Sequence, residues 1–158
     1  MSKYSFIVSN SLLPEIDLTG AKRMKYGDYK KLNKESSKSI RDQLDDKDDE
    51  LVILIMDSTK MHHLKIAICT NPPYGLEEYI QKDIIYWLEG NSDDGIWKEQ
   101  LYDYLKRLNN KDGLEIWSIW FGDGPQDIKE IKLKLSELKI SDLEALKSLR
   151  MNYCIKIE

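Results

Sequence analysis

The sequence predicts an α+β fold, with a mixed or largely antiparallel sheet of about five to six strands and about two to four helices. Three observations predict it. Strand-like runs gather toward both ends of the chain. Helix-period segments lie mostly between them. The two kinds do not alternate regularly, as they would in a doubly wound sheet. The 158 residues suit a single domain spanning 1–158. A chain of this length buries roughly 70% of its unfolded surface, so its core needs no staples.

The opening run of residues 4–8, Y-S-F-I-V, is β-rich and reads as a strand. Residues 9–20 carry Pro14, Gly20 and several polar groups, the marks of a loop. Residues 22–25 read as extended, and Asp28 as the cap of a short helix through Leu32. Segment 33–50 is polar and weakly periodic. It is expected to be a mobile acidic loop, with a marginal helix around Ile40 and Leu44.

Residues 51–56, L-V-I-L-I-M, are apolar on both faces, which predicts a strand interior to a sheet and covered on each side. A second strand follows over 63–69, so a hairpin across 57–61 is expected. In 76–88, Leu76, Ile80, Ile84 and Leu88 share one helical face, while Ile84, Ile85, Tyr86 and Trp87 favour a strand. The spacing predicts a helix for the first part. Trp97, Leu101, Tyr104, Leu105 and Leu108 then recur at helical spacing. That helix is capped by Asp93 or Asp94 and stopped by Asn109, Asn110 and Gly113.

Residues 114–121, L-E-I-W-S-I-W-F, form a strand apolar on both faces, closed by Gly122 and Gly124. In 128–135, Ile131, Leu133 and Leu135 alternate with Lys132 and Lys134, the pattern of a half-buried strand. Ser141 and Glu144 have capping-box spacing for a short helix through Leu149. Residues 152–157 read as a final strand.

Charge and cysteine usage narrow the function. The net charge of −4 disfavours nonspecific nucleic-acid binding, which rests on lysine and arginine neutralising phosphates. No run approaches the length of a membrane span, and the N-terminal stretch lacks the long apolar core of a secretory signal. Cys69 and Cys154 both sit in apolar runs and read as small core residues rather than a disulfide pair. A cytoplasmic setting is expected. His62 and His63 are adjacent, which is not a ligand spacing, so neither a metal nor a cofactor is expected.

One motif carries chemistry. Asn71, Pro72, Pro73 and Tyr74 follow the apolar run of Leu64, Ile66, Ala67, Ile68 and Cys69. The tetrad reads as a strand exit stiffened by two fixed φ angles. It also resembles the N-P-P-Y motif of S-adenosylmethionine-dependent amino methyltransferases, where it follows a strand. The resemblance implies that Asn71 and the Pro72 carbonyl accept hydrogen bonds from a target amino group, and that Tyr74 stacks on a flipped base. No G-x-G turn stands upstream of the tetrad, and Gly122 and Gly124 lie downstream.

The expectation is therefore a non-enzymatic protein-binding module, of the immunity or antitoxin type. It would dock an acidic face on a basic toxin or enzyme. The candidate contact residues are Asp45, Asp46, Asp48, Asp49 and Glu50, with Asp93 and Asp94 as further candidates. The alternative is amino methyl transfer, with Asn71, Pro72, Pro73 and Tyr74 binding the substrate.

Overall fold

The computed structural model describes residues 2–32, 46–108, 112–147 and 150–158, with Asp46 through its backbone alone. The helix expected around Ile40 and Leu44, most of the expected mobile loop, and Asn109, Asn110 and Leu149 lie outside the described residues. Chain contacts divide the molecule into two compact units, a larger one of Met1–Leu18 with His62–Glu158 and a smaller one of Thr19–Met61.

The fold is α+β. The larger unit holds a seven-stranded mixed sheet, one strand more than the upper expectation. Its strands are β1 (Ser2–Ser9), β2 (Ile16–Asp17), β5 (Lys65–Ile68), β6 (Ile85–Glu89), β7 (Leu114–Phe121), β8 (Ile128–Leu133) and β9 (Asn152–Ile157). The spatial order is β2-β5-β6-β1-β7-β9-β8. Every pairing is antiparallel except β8 with β9. The smaller unit holds β3 (Lys22–Lys25), helix α1 (Tyr26–Leu32), a 3₁₀ turn at Asp46–Asp48 and β4 (Val52–Ile55). There β3 and β4 form a two-stranded antiparallel ribbon.

Strand alternation sends the large sheet's side chains to two apolar clusters. On one face lie Ile7, Ile66, Tyr86, Leu88, Ile116, Ile155 and Ile157. Helix α2 (Gly95–Arg107) covers them with Trp97, Leu101, Tyr104 and Leu105, and Leu138, Leu143 and Leu146 complete the layer. A fully buried Leu or Ile of this kind contributes about 1.5–3 kcal/mol. Asp94 caps α2, its side chain accepting from the Ile96 N–H at 2.9 Å. Polar tips tie the 13–14 segment to this face: the Leu13 N–H donates to Tyr86 Oη at 2.9 Å, and the Tyr104 hydroxyl to the Pro14 carbonyl at 2.8 Å. On the other face Phe6, Val8, Trp117, Ile119 and Cys154 pack with Leu76 and Ile80.

Several expectations need correction. Residues 51–56 are not interior. Among the described residues strand β4 pairs with β3 alone, and Leu51, Val52, Leu54 and Met56 are all exposed. The reason lies in its neighbour: β3 reads K-R-M-K, and a strand so charged cannot sit in a buried sheet. The hairpin across 57–61 is likewise replaced. Asp57 Oδ1 caps a local turn through the Thr59 N–H at 2.9 Å, and β5 pairs with β2 and β6 instead.

Residues 76–88 form one 3₁₀ turn, Leu76–Glu78, followed by β6. Leu76 and Ile80 join one cluster while Ile84 and Leu88 join the other, so strand propensity wins over the helical spacing. Helix α1 begins at Tyr26, which puts Asp28 in its first turn rather than at its cap. The helix expected after Ser141 is a 3₁₀ segment, Ile140–Lys147. Its start is capped by Asp142, which accepts from the Lys139 N–H at 2.8 Å, while Glu144 binds Lys98 and Lys147.

Candidate functional site

The acidic run is placed on the smaller unit as a turn leading into β4. Its backbone is held at both ends. The Leu51 N–H donates to the Asp48 carbonyl at 2.9 Å, and the Gly27 N–H to the Asp49 carbonyl at 3.0 Å. The turn carries its own counter-ions. Asp49 pairs with Lys30 at 2.6 Å and Glu50 with Lys25 at 2.6 Å, the Glu50 side chain being 85% exposed. The Glu50 hydrogen bond raises the Lys25 ammonium above its ordinary range. Asp45 lies outside the described residues, and only the backbone of Asp46 is described.

Asp93 and Asp94 belong to the larger unit. Asp94 is occupied as the α2 cap. The Asp93 N–H donates to Asn91 Oδ1 at 3.0 Å, and the Asp93 charge acts on Lys3 and Lys147. The described candidates are therefore divided between the two units, Asp48, Asp49 and Glu50 in the smaller and Asp93 and Asp94 in the larger. Sequence reasoning missed the apolar half of the surface next to the acidic turn. Val52, Leu54 and Met56 alternate with Ile53 and Ile55 and share one exposed side. The charged pattern of Lys22, Arg23 and Lys25 on the partner strand was the available signal.

The tetrad follows β5 as expected, and the Pro73 carbonyl accepts from the Leu76 N–H at 3.2 Å. Its two ends face different hollows. Tyr74 is 95% exposed and borders a hollow of about 220 Å³ beside Tyr79, Trp120, Phe121 and Pro125. Asn71 borders a larger one of about 520 Å³ with Lys3, Tyr4, Lys65, Trp87 and Glu89.

That larger hollow has a topological origin. Strand β1 pairs with β7 along its whole length, from Ser9 to Ser2. Strand β6 pairs with β5 as far as Glu89. The β1–β6 ladder itself stops at Phe6–Trp87. The β1–β6 register ends there, and residues of both strands line a cleft at that end. Because the cleft passes between strands, it collects side chains from both faces: Lys3 and Ser5 from the α2 side, Tyr4 and Trp87 from the other. Gly90 turns β6 away at φ 116°, and a Cβ there would stand 2.7 Å from the His63 carbonyl. The Trp97 indole N–H donates to the Glu89 carbonyl at 2.9 Å and fixes this end.

The two thiols are held protonated. Burial pushes the Cys154 thiol up to about 12, aided by the Glu115 charge, and burial also raises Cys69. Such thiols carry little thiolate, the nucleophilic form. His63 Nδ1 lies 3.2 Å from Gln100 Nε2, and that side chain's Oε1 accepts from the Leu64 N–H at 2.9 Å. His63 thus belongs to a strand-to-helix tie. Among the described residues no group of three or more His, Cys, Asp or Glu is placed to hold a metal ion. Among them too, no helix is long and apolar enough to cross a membrane. No family model matches the chain, and neither the curated proteins nor the solved structures give a match.

Proposed function

We propose that this chain is a non-enzymatic protein-binding module acting in the cytoplasm, an immunity- or antitoxin-type inhibitor of a basic toxin or enzyme. One observation carries the reading: the acidic turn Asp48–Glu50 runs directly into β4, where Val52 and Leu54, with Met56 just beyond, are exposed together. A contact surface needs an apolar centre to bury and a charged border to orient it, and this segment supplies both in sequence. The carboxylates draw a cationic partner by long-range attraction. Their present pairings do not prevent this, since ion pairs as exposed as Lys25–Glu50 are screened by water and contribute little. Inhibition follows if the docked unit covers the partner's active cleft.

The test places a photo-crosslinking residue at Leu54, with Ile96, exposed on α2, as the control position. A basic protein should be captured from the host at Leu54 and not at Ile96. The pair D49K/E50K should abolish that capture with circular dichroism unchanged. The purified partner should bind more weakly as salt rises. Equal capture at both positions, or capture and affinity indifferent to the charge reversal, overturns the reading.

Amino methyl transfer is a second reading, and the position of Asn71 on the cleft wall favours it. Calorimetry with S-adenosylmethionine tests it, and absence of heat removes it.

A further inference from the structure

Strand β8 ends the large sheet, and among the described residues its outer edge pairs with no other strand. Successive residues of a strand direct their main-chain groups to opposite edges. The phase is set at the end of β8. The Glu158 N–H donates to the Leu133 carbonyl at 2.9 Å, and the Leu135 N–H donates to the Glu158 carbonyl at 2.9 Å. The main chains of Lys129, Ile131 and Leu133 therefore face β9. Those of Ile128, Glu130 and Lys132 face outward, where the described residues offer them no main-chain partner. The side chains leave the edge open to an approach: Lys129, Glu130 and Lys132 are exposed, and Ile131 is half-buried. Such a row of unmatched donors and acceptors is a template for a further strand.

Charge decides which strand fits. Two copies of β8 meeting edge to edge run antiparallel about a two-fold axis normal to the sheet. The axis passes through one residue, which then meets its own copy. Of the interior positions, Lys129 or Lys132 on the axis opposes two lysines, and Glu130 opposes two carboxylates. Like charges directly opposite are destabilising. Ile131 on the axis instead sets Glu130 of each copy opposite Lys132 of the other. Both are outward-facing residues, so they exchange main-chain hydrogen bonds as well as matching unlike charges. Ile131 meets Ile131 at a non-hydrogen-bonded site, where side chains approach closest. Ile131 already packs at the margin of the apolar layer under α2, so the contact carries that layer across the axis. Glu130 holds Lys156 of its own copy at 2.9 Å, and a carboxylate has lone pairs for a second cation.

We propose that β8 pairs with β8 of a second copy of this chain, centred on Ile131, and joins the two large sheets into one. The contact lies within the larger unit and does not depend on the ribbon surface proposed above.

Sedimentation equilibrium of the full chain tests this, with thermal melts to show that each variant folds. The parent should dimerise. Lys132→Glu sets carboxylate against carboxylate and should raise the dissociation constant about tenfold or more. The swap E130K/K132E restores unlike charges across the axis and should recover the dimer. The ribbon pair D49K/E50K should leave it unchanged. Ile131→Cys should form a disulfide-linked dimer on mild oxidation, with the parent as control. Residues paired at such a site stand about 4.5 Å apart between Cα atoms, within reach of a disulfide. A parent that stays monomeric leaves the edge to a strand of another protein and overturns the proposal. So does a dimer indifferent to Lys132→Glu, a folded swap variant that stays monomeric, or loss of the dimer in D49K/E50K. Ile131→Cys crosslinking no better than the parent also sinks it.

Discussion

Strands β7 and β4 are both apolar on two faces in sequence, yet they meet opposite fates. Strand β7 has β1 on one edge and β9 on the other, and its Ile116 and Ile119 are fully buried. Among the described residues strand β4 pairs with β3 alone, and its Val52 and Leu54 are 61% and 55% exposed. The difference teaches that an apolar run states a demand for cover without saying who supplies it. In β7 the chain supplies it, through α2 and the 3₁₀ segment on one face and Leu76 and Ile80 on the other. In β4 an apolar side is left exposed, which is why a partner is sought there.

The contrast can be broken most directly by truncation. Ile116→Ala should cost about 3 kcal/mol, because it removes fully buried methyl groups from a packed layer. Leu54→Ala should cost less than about 0.5 kcal/mol. Denaturant melts of the two variants compare them. Equal losses would mean that β4 is covered after all.

The cover over β7 can be probed next. Lys98 on α2 is buried and its ammonium donates to Glu144 of the 3₁₀ segment. The hydrogen bond from Lys98, then that from Lys147, holds the Glu144 carboxyl below its ordinary range. A carboxyl lowered in the folded state contributes stability above its unfolded pKa and loses it as pH falls through the folded value. Glu144→Gln should therefore lower the melting temperature at neutral pH and lessen its decline on acidification. Glu50→Gln, on the exposed ribbon, should change neither measurably.

A smaller effect of opposite sign is expected within β7. The Ser118 hydroxyl is fully buried and finds no hydrogen-bond partner among the described residues. Ser118→Ala should stabilise by about 1 kcal/mol in a denaturant melt. A loss instead would show that the hydroxyl is satisfied.

Much of this architecture is legible from local pattern. Strands β1, β7, β8 and β9 and helix α2 follow from periodicity, and Asp94 from cap chemistry. What failed was pairing between distant segments. The spacing of Leu76, Ile80, Ile84 and Leu88 fits a helix until Leu76 and Leu88 are seen to need opposite faces of one sheet. The hairpin across 57–61 failed because β5 finds its neighbours in β2 and β6. The acidic turn was visible as charge, but its pairing with Lys25 and Lys30 was not, since those lysines lie well upstream. The cleft could not be read at all. It arises where one ladder ends while its two flanking ladders continue, a property of no single segment.

The centre of the large sheet joins β1 to a strand made much later, with Ser2 opposite Phe121. During synthesis β1 emerges early and waits with an unmatched margin until β7 leaves the ribosome. Non-local closure of this kind slows folding and prolongs the interval in which a bare strand margin invites wrong neighbours. The nascent chain is therefore most vulnerable to aggregation before Phe121 has been added.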